Sequence, residues 1–136
     1  LSMLPEGLLP LSQWAMRLLG RLGRHAYEGL ALGADEQARI VAALDDLDGL
    51  ILENHGVLTV GRTVAEAYLL MHLLDRAAKA QLAAMAATGG RLRPVSDDLA
   101  ALTHRQWVGD GTERDGDVEW PSLLRRLDRL SPGYRD

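Results

Sequence analysis

The chain has 136 residues, 19 acidic against 15 basic side chains, and no cysteine. That length holds one domain with one core, and 47% apolar with 25% charged residues excludes wholesale disorder. A net charge of −4 argues against a nucleic-acid partner, the missing thiols exclude disulfides and cysteine–zinc sites, and no apolar run reaches the roughly 20 residues of a membrane span.

No basic flank precedes an apolar stretch at the N-terminus, so no signal peptide is read there and a cytoplasmic protein with no membrane partner is expected. Residues 1–10, broken by Pro5, Gly7 and Pro10, read as the end of an element and then a loop. Leu11, Trp14, Ala15, Leu18, Leu19 and Leu22 recur at helical spacing, which predicts a helix over 11–22 with Ser12 as its cap. Residues 24–32 are irregular, a short strand followed by a turn. A second helix is predicted over 35–44, with Asp35 as N-cap and Ala38, Val41 and Ala42 along one face.

Residues 49–61 hold two short apolar runs around Asn54-His55-Gly56. They read either as two strands joined by a tight turn or as one strand with a bulge at Gly56. The longest helix follows. Thr63 and Glu66 match a capping box, apolar residues recur at 64, 67, 68, 71, 74, 78, 82 and 85, and Gly89-Gly90 stops it. It is about 25 residues, or about 38 Å, long. Ser96 caps a helix to Trp107, and residues 109–117 read as a polar, glycine-rich loop. A last helix over 119–130 shows Leu123, Leu124, Leu127 and Leu130 on one face.

The four histidines form neither a His-x-His nor a His-Glu-x-x-His spacing. His55 beside Gly56 is either turn punctuation or a ligand pointing into a cleft. His72 reads as a satisfied helical histidine and His104 as solvent-facing. Asp45, Asp46 and Asp48 read as a solvated loop. Asp110, Glu113, Asp115 and Asp117 do not fit a calcium loop. No phosphate loop and no nucleophile elbow is present.

The stretch Asn54-His55-Gly56-Val57-Leu58-Thr59-Val60-Gly61-Arg62-Thr63-Val64-Ala65-Glu66-Ala67 strongly resembles the class II aldolase/adducin family. The resemblance extends to Leu9-Pro10-Leu11-Ser12-Gln13, Tyr27-Glu28-Gly29, Trp120-Pro121-Ser122-Leu123-Leu124 and Tyr134-Arg135-Asp136. It implies an α/β fold, a three-layer α/β/α domain with a mostly antiparallel central sheet. It also implies a homo-oligomer, a tetramer in many members. The family includes sugar-phosphate aldolases, epimerases, dehydratases and the non-catalytic head of adducin. Its enzymes hold a divalent metal, often zinc, through three histidines and act on small carbonyl or sugar-phosphate-like substrates. The metal polarises a carbonyl and stabilises an enediolate.

By this resemblance His55 matches the third metal histidine. Tyr27 falls where aldolase members place a tyrosine that reaches a neighbouring subunit's site. The family's His-x-His pair and acid/base glutamate precede the stretch that matches Leu1. Residues 1–136 are therefore expected to be the C-terminal part of one such domain, neither binding metal tightly nor catalysing alone. The scarce strands and the start without methionine carry the same expectation. The intact parent is read as a metal-dependent lyase. The competing readings are a non-catalytic adducin-like interaction domain and a helical partner-binding module without a sheet.

Overall fold

The computed structural model describes residues 1–109 and 115–135. The part of the predicted polar loop at 110–114, with Asp110 and Glu113, lies outside the described residues.

Ser12 starts helix α1 (Gln13–Arg17) by accepting the Ala15 N–H. The helix is five residues long, not the predicted twelve or so. The Leu18 and Leu19 amides close tight turns onto Ala15 and Met16, and Gly20 takes a φ of +72°. This turn delivers the chain into β1 (Leu22–His25). Helix α2 (Ala34–Leu44) follows. Its N-cap is Gly33, while Asp35 and Glu36 sit in the first turn, where the helix dipole favours negative charge. Its predicted inner face is its outer one: Ala38, Val41 and Ala42 are exposed, Val41 at 69%. Ile40, Ala43 and Leu44 turn inward instead. The reason is the glycine in β1. A Cβ on Gly23 would meet the Ala43 carbonyl oxygen at 3.0 Å, so the Ala43 side is where helix and strand approach.

Strands β2 (Gly49–Leu52) and β3 (Gly56–Thr59) pair antiparallel through a short turn. This selects the two-strand reading over the bulge. β1 lies parallel to β2, with Leu22 opposite Gly49 and His25 opposite Leu52. The three-stranded sheet has the order β1-β2-β3 and is mixed, which corrects the expectation of a mostly antiparallel sheet. The cause is α2: a helical crossover returns the chain in its original direction, whereas a short turn reverses it. The sheet also removes the reading as a helix-only module.

The long helix α3 (Val64–Thr88) has its cap where expected: Thr63 Oγ1 accepts the Glu66 N–H at 3.1 Å. Glu66 reaches back one residue further than a capping box requires, to the Arg62 N–H at 2.6 Å. Gly89, at φ +60°, ends the helix. The predicted apolar face is rotated. Leu69, Leu70, Leu73, Leu74, Ala77 and Gln81 are buried, while Val64, Tyr68 and Leu82 are exposed. Apolar residues surround most of α3, so its periodicity admits several stripes. The row that meets Leu18, Leu22 and Val57 becomes the core.

Leu22 and Val57 project to the α3 side and Gly23 to the α2 side, so helices cover both faces of the sheet. Gln81, 1% exposed, ties the N-terminal segment to α3: its side chain accepts the Leu9 N–H and donates to the Gly7 carbonyl, each at 2.8 Å. Helix α4 (Asp97–Val108), capped by Ser96, packs on α1. His104 is not solvent-facing: its Nδ1 lies 3.1 Å from the Met16 carbonyl oxygen. Helix α5 (Glu119–Leu130) leads into a 3-10 turn (Pro132–Arg135). Leu123 and Leu124 are half-buried and Leu127 and Leu130 exposed. No helix among the described residues is long and apolar enough to cross a membrane.

Two glycines of the β2–β3 pair should differ sharply on substitution. A Cβ on Gly49 would lie 2.6 Å from the Leu58 carbonyl oxygen, whereas one on Gly56 meets nothing within 4 Å. Gly49→Ala is expected to cost about 2–4 kcal/mol in urea unfolding and Gly56→Ala under about 1 kcal/mol.

Candidate functional site

The site gathers at the end of the sheet where β1 and β2 finish. The chain leaves β2 through Glu53, Asn54 and His55 and turns back into β3. The Glu53 N–H donates to the His25 carbonyl at 3.0 Å, so the turn continues the parallel pairing past the strand ends. The Asn54 N–H donates to the Ser2 carbonyl at 3.0 Å, which draws the first residues of the chain to the same place. The His55 N–H closes the turn onto the Leu52 carbonyl at 3.1 Å. Asn54 holds a φ of +53°, a conformation that asparagine tolerates better than most residues. The outcome is an exposed His55 side chain on a backbone fixed from both sides.

Arg24 braces this end. Its guanidinium bonds the Glu53 carboxylate at 2.9 and 3.1 Å and the Pro5 carbonyl at 2.9 Å. After β1 the chain enters the loop that carries Tyr27, 54% exposed. Glu28 in that loop is gripped by Arg39 of α2, whose Nε lies 3.0 and 3.1 Å from the two carboxylate oxygens. The Arg39 hydrogen bonds hold the Glu28 carboxyl below the usual carboxylate range, against a smaller desolvation effect and with help from the charges of Arg39 and His25. His25 lies beneath, its Nε2 3.6 Å from Glu28 Oε1.

The fold thus brings His55 and the root of the Tyr27 loop to one sheet end. His72 is elsewhere, exposed on α3 and stacked on Tyr68 at 6.3 Å. Tyr134 donates to Asp128 at 3.1 Å on the C-terminal turn. Among the described residues no three His, Cys, Asp or Glu side chains converge to hold a metal. Sequence reasoning noted that His25 precedes Tyr27-Glu28 without drawing a role from that spacing, and it passed over Arg39. The i, i+3 spacing of His25 and Glu28 is a visible signal, but Arg39 joins them only through the packing of α2.

The opposite end of the sheet carries a charge network. Arg21, just before β1, bonds Asp48, just before β2, at 2.6 Å and Asp115 at 2.7 Å. Arg17 pairs with the other Asp115 oxygen and lies 4.9 Å from the Trp107 ring centre. Asp48 therefore belongs to a partly buried ion network, not only to a solvated loop. Beside it, Gly116 abuts the start of α3, where a Cβ would meet the Ala65 backbone at 2.7 Å. Trp120 meets Tyr68 edge-on at 5.5 Å.

The comparisons with known proteins agree with this architecture. The family model described as class II aldolase and adducin N-terminal domain matches residues 1–82. A Caulobacter vibrioides protein with the name "Putative aldolase class 2 protein" is 46% identical over 96% of this chain and 51% of its own length. Rat alpha-adducin is 32% identical over 95% of this chain and 19% of its own length. A crystal structure of an aldolase II superfamily protein from Pseudomonas syringae superposes with a TM-score of 0.90 at 37% identity, covering 99% of this chain and 54% of that one. L-fuculose 1-phosphate aldolase from Glaciozyma antarctica superposes with a TM-score of 0.76 at 27% identity, covering 97% and 48%. The chain belongs to the class II aldolase and adducin family. It spans about half the length of the curated class 2 aldolase relatives it matches.

The charge network sets an acid limit on stability. Burial of Asp115, 12% exposed, pushes its carboxyl up, but the hydrogen bonds and charges of Arg17 and Arg21 together outweigh this and leave it lowered. A lowered carboxyl contributes stability above its unfolded value, about 3.9, and loses it as pH falls through the folded value. Asp115→Asn is expected to cost about 1–3 kcal/mol at pH 7 and to shrink the loss between pH 7 and pH 3, read by urea unfolding.

Proposed function

We propose that these residues form part of a divalent-metal-dependent lyase of the aldolase type, in which His55 supplies one metal-ligating imidazole. The observation that carries this reading is the His55 turn: an exposed imidazole beside a non-glycine residue at φ +53°, on a backbone held by His25, Leu52 and Ser2 contacts. Such backbone persists where its surroundings over-determine it, which is common at functional sites. A neutral imidazole suits zinc and related divalent ions.

The described residues do not hold such an ion by themselves. A catalytic zinc generally takes three protein ligands, and the neighbouring Glu53 carboxylate is engaged by Arg24. The remaining ligands are assigned to the part of the relatives' length that this chain does not span. A bound divalent metal supplies Lewis acidity toward a carbonyl oxygen. The chain's own residues fix where the imidazole stands: Arg24 and Glu53 brace the turn, and the Asn54–Ser2 bond brings the preceding segment beside it.

Tyr27, exposed on its loop, is proposed to act in a neighbouring subunit of a homo-oligomer, a tetramer, working in the cytoplasm. The likeness to an L-fuculose 1-phosphate aldolase supports a small carbonyl or sugar-phosphate-like substrate. The likeness to alpha-adducin supports the second reading, a non-catalytic interaction domain.

Metal content separates the two readings. A form extended upstream to the relatives' length is expected to hold about one divalent ion per chain by mass spectrometry, and the 136-residue chain under about a tenth of that. His55→Ala should lower the content of the extended form at least about tenfold. Equal, substoichiometric metal in both lengths favours the non-catalytic domain.

A further inference from the structure

The sheet face toward α2 holds a group that the candidate site does not use. The His25 side chain is only 10% exposed, and among the described residues its Nε2 finds no hydrogen-bond partner and is closed off from solvent. Buried polar atoms are paired in the great majority of cases, and an orphan costs free energy. Glu28 Oε1 stands 3.6 Å from this nitrogen, just beyond hydrogen-bond reach. The Arg39 clamp keeps Glu28 ionised through neutral and mildly acidic pH.

A neutral ring is poorly served in either tautomer. With the proton on Nδ1, the Nε2 lone pair faces a carboxylate. With the proton on Nε2, its acceptor stands a few tenths of an ångström too far away. A protonated ring makes both nitrogens donors, and a small closing movement turns the contact into a charge-assisted hydrogen bond. Because Nε2 is sealed from solvent, a proton is the ligand that the position fits.

Glu28 also anchors the loop between β1 and α2. That loop takes φ +124° at Gly29 and +54° at Ala31, and Gln37 donates to the Ala31 carbonyl at 3.2 Å. Tyr27, Leu30 and Leu32 stand exposed along it.

We propose that His25, Glu28 and Arg39 form a proton-binding catch, in which protonation of His25 draws the Glu28 carboxylate onto Nε2 and tightens the Tyr27 loop. Around this pair stand other charged and titratable groups of the described residues. Glu36 of α2 lies within the field of Arg39. Arg24 and Glu53 pair with each other. His55 sits in the β2–β3 turn, and Tyr27 is the other titratable group beside Glu28 in the loop. Glu28 is ionised over the pH range of the test below, held so by Arg39. The catch stands on these contacts alone and does not depend on the lyase reading. If Tyr27 serves a neighbouring site, the catch also governs its presentation.

Amide hydrogen exchange of residues 26–33 in the 136-residue chain, corrected for intrinsic rates, tests the catch. Protection is expected to be about threefold higher at pH 5 than at pH 8. His25→Gln and Glu28→Gln should each abolish that gain. Equal protection at the two pH values, or a gain that survives in either variant, overturns the proposal. Glu28→Gln changes a loop carboxylate and keeps the test decisive if the histidine variant does not fold.

Discussion

The rest of the molecule depends on the seat of α3 on the sheet. Three strands of four residues each cannot stand alone in water. The buried row Leu69, Leu70, Leu73 and Leu74 covers one face and meets Leu18 in a single cluster, with Leu1, Leu8, Leu22 and Val57 packed against it. Each fully buried leucine removes enough apolar surface from water for about 1.5–3 kcal/mol. Helix α3 therefore supplies what the short ladders lack. Gln81 extends the same row with a polar clamp that fixes residues 7–9 and, through them, the path of the first ten residues.

From that seat the two sheet ends acquire different work. At one end Arg21 gathers Asp48 and Asp115, fastening the starts of β1 and β2 to the segment before α5. At the other end Arg24 and Glu53 brace the turn, leaving His55 exposed while His25 is sealed beneath the Tyr27 loop. The Arg21–Asp48–Asp115 network lies at the far end of the sheet from the exposed imidazole. The class II aldolase and adducin fold supplies this edge and the few side chains placed on it.

The local signals were well read at three helix starts, though not at α2, where Gly33 and not Asp35 is the N-cap. Ser12, Thr63 and Ser96 each cap the helix they precede, because a hydroxyl before an apolar run satisfies an orphan amide without help from the fold. Gly89 stops α3 for the same local reason. The apolar faces of α2 and α3 were misread. Val41 is as apolar as its half-buried neighbours and Leu82 as apolar as the buried Leu74, and only the contact with Gly23 in one case and with Leu18 and Val57 in the other selects the inward side. The site divides in the same way. His55 and Tyr27 are visible from the motifs around them. The part of His25 depends on a carboxylate oriented by a helix 11 residues away along the chain.

By itself the sequence pointed to the family, placed His55 between two short apolar runs, and located the caps Ser12, Thr63 and Ser96. These rest on contacts between residues close in the chain. The tertiary structure alone decided that β1 runs parallel to β2, that α3 turns Leu70 and Leu74 to the sheet, and that Asp115 closes on Arg17 and Arg21. Those outcomes require distant segments to compete for one surface, and a one-dimensional pattern does not record which of several apolar stripes or carboxylates wins that competition.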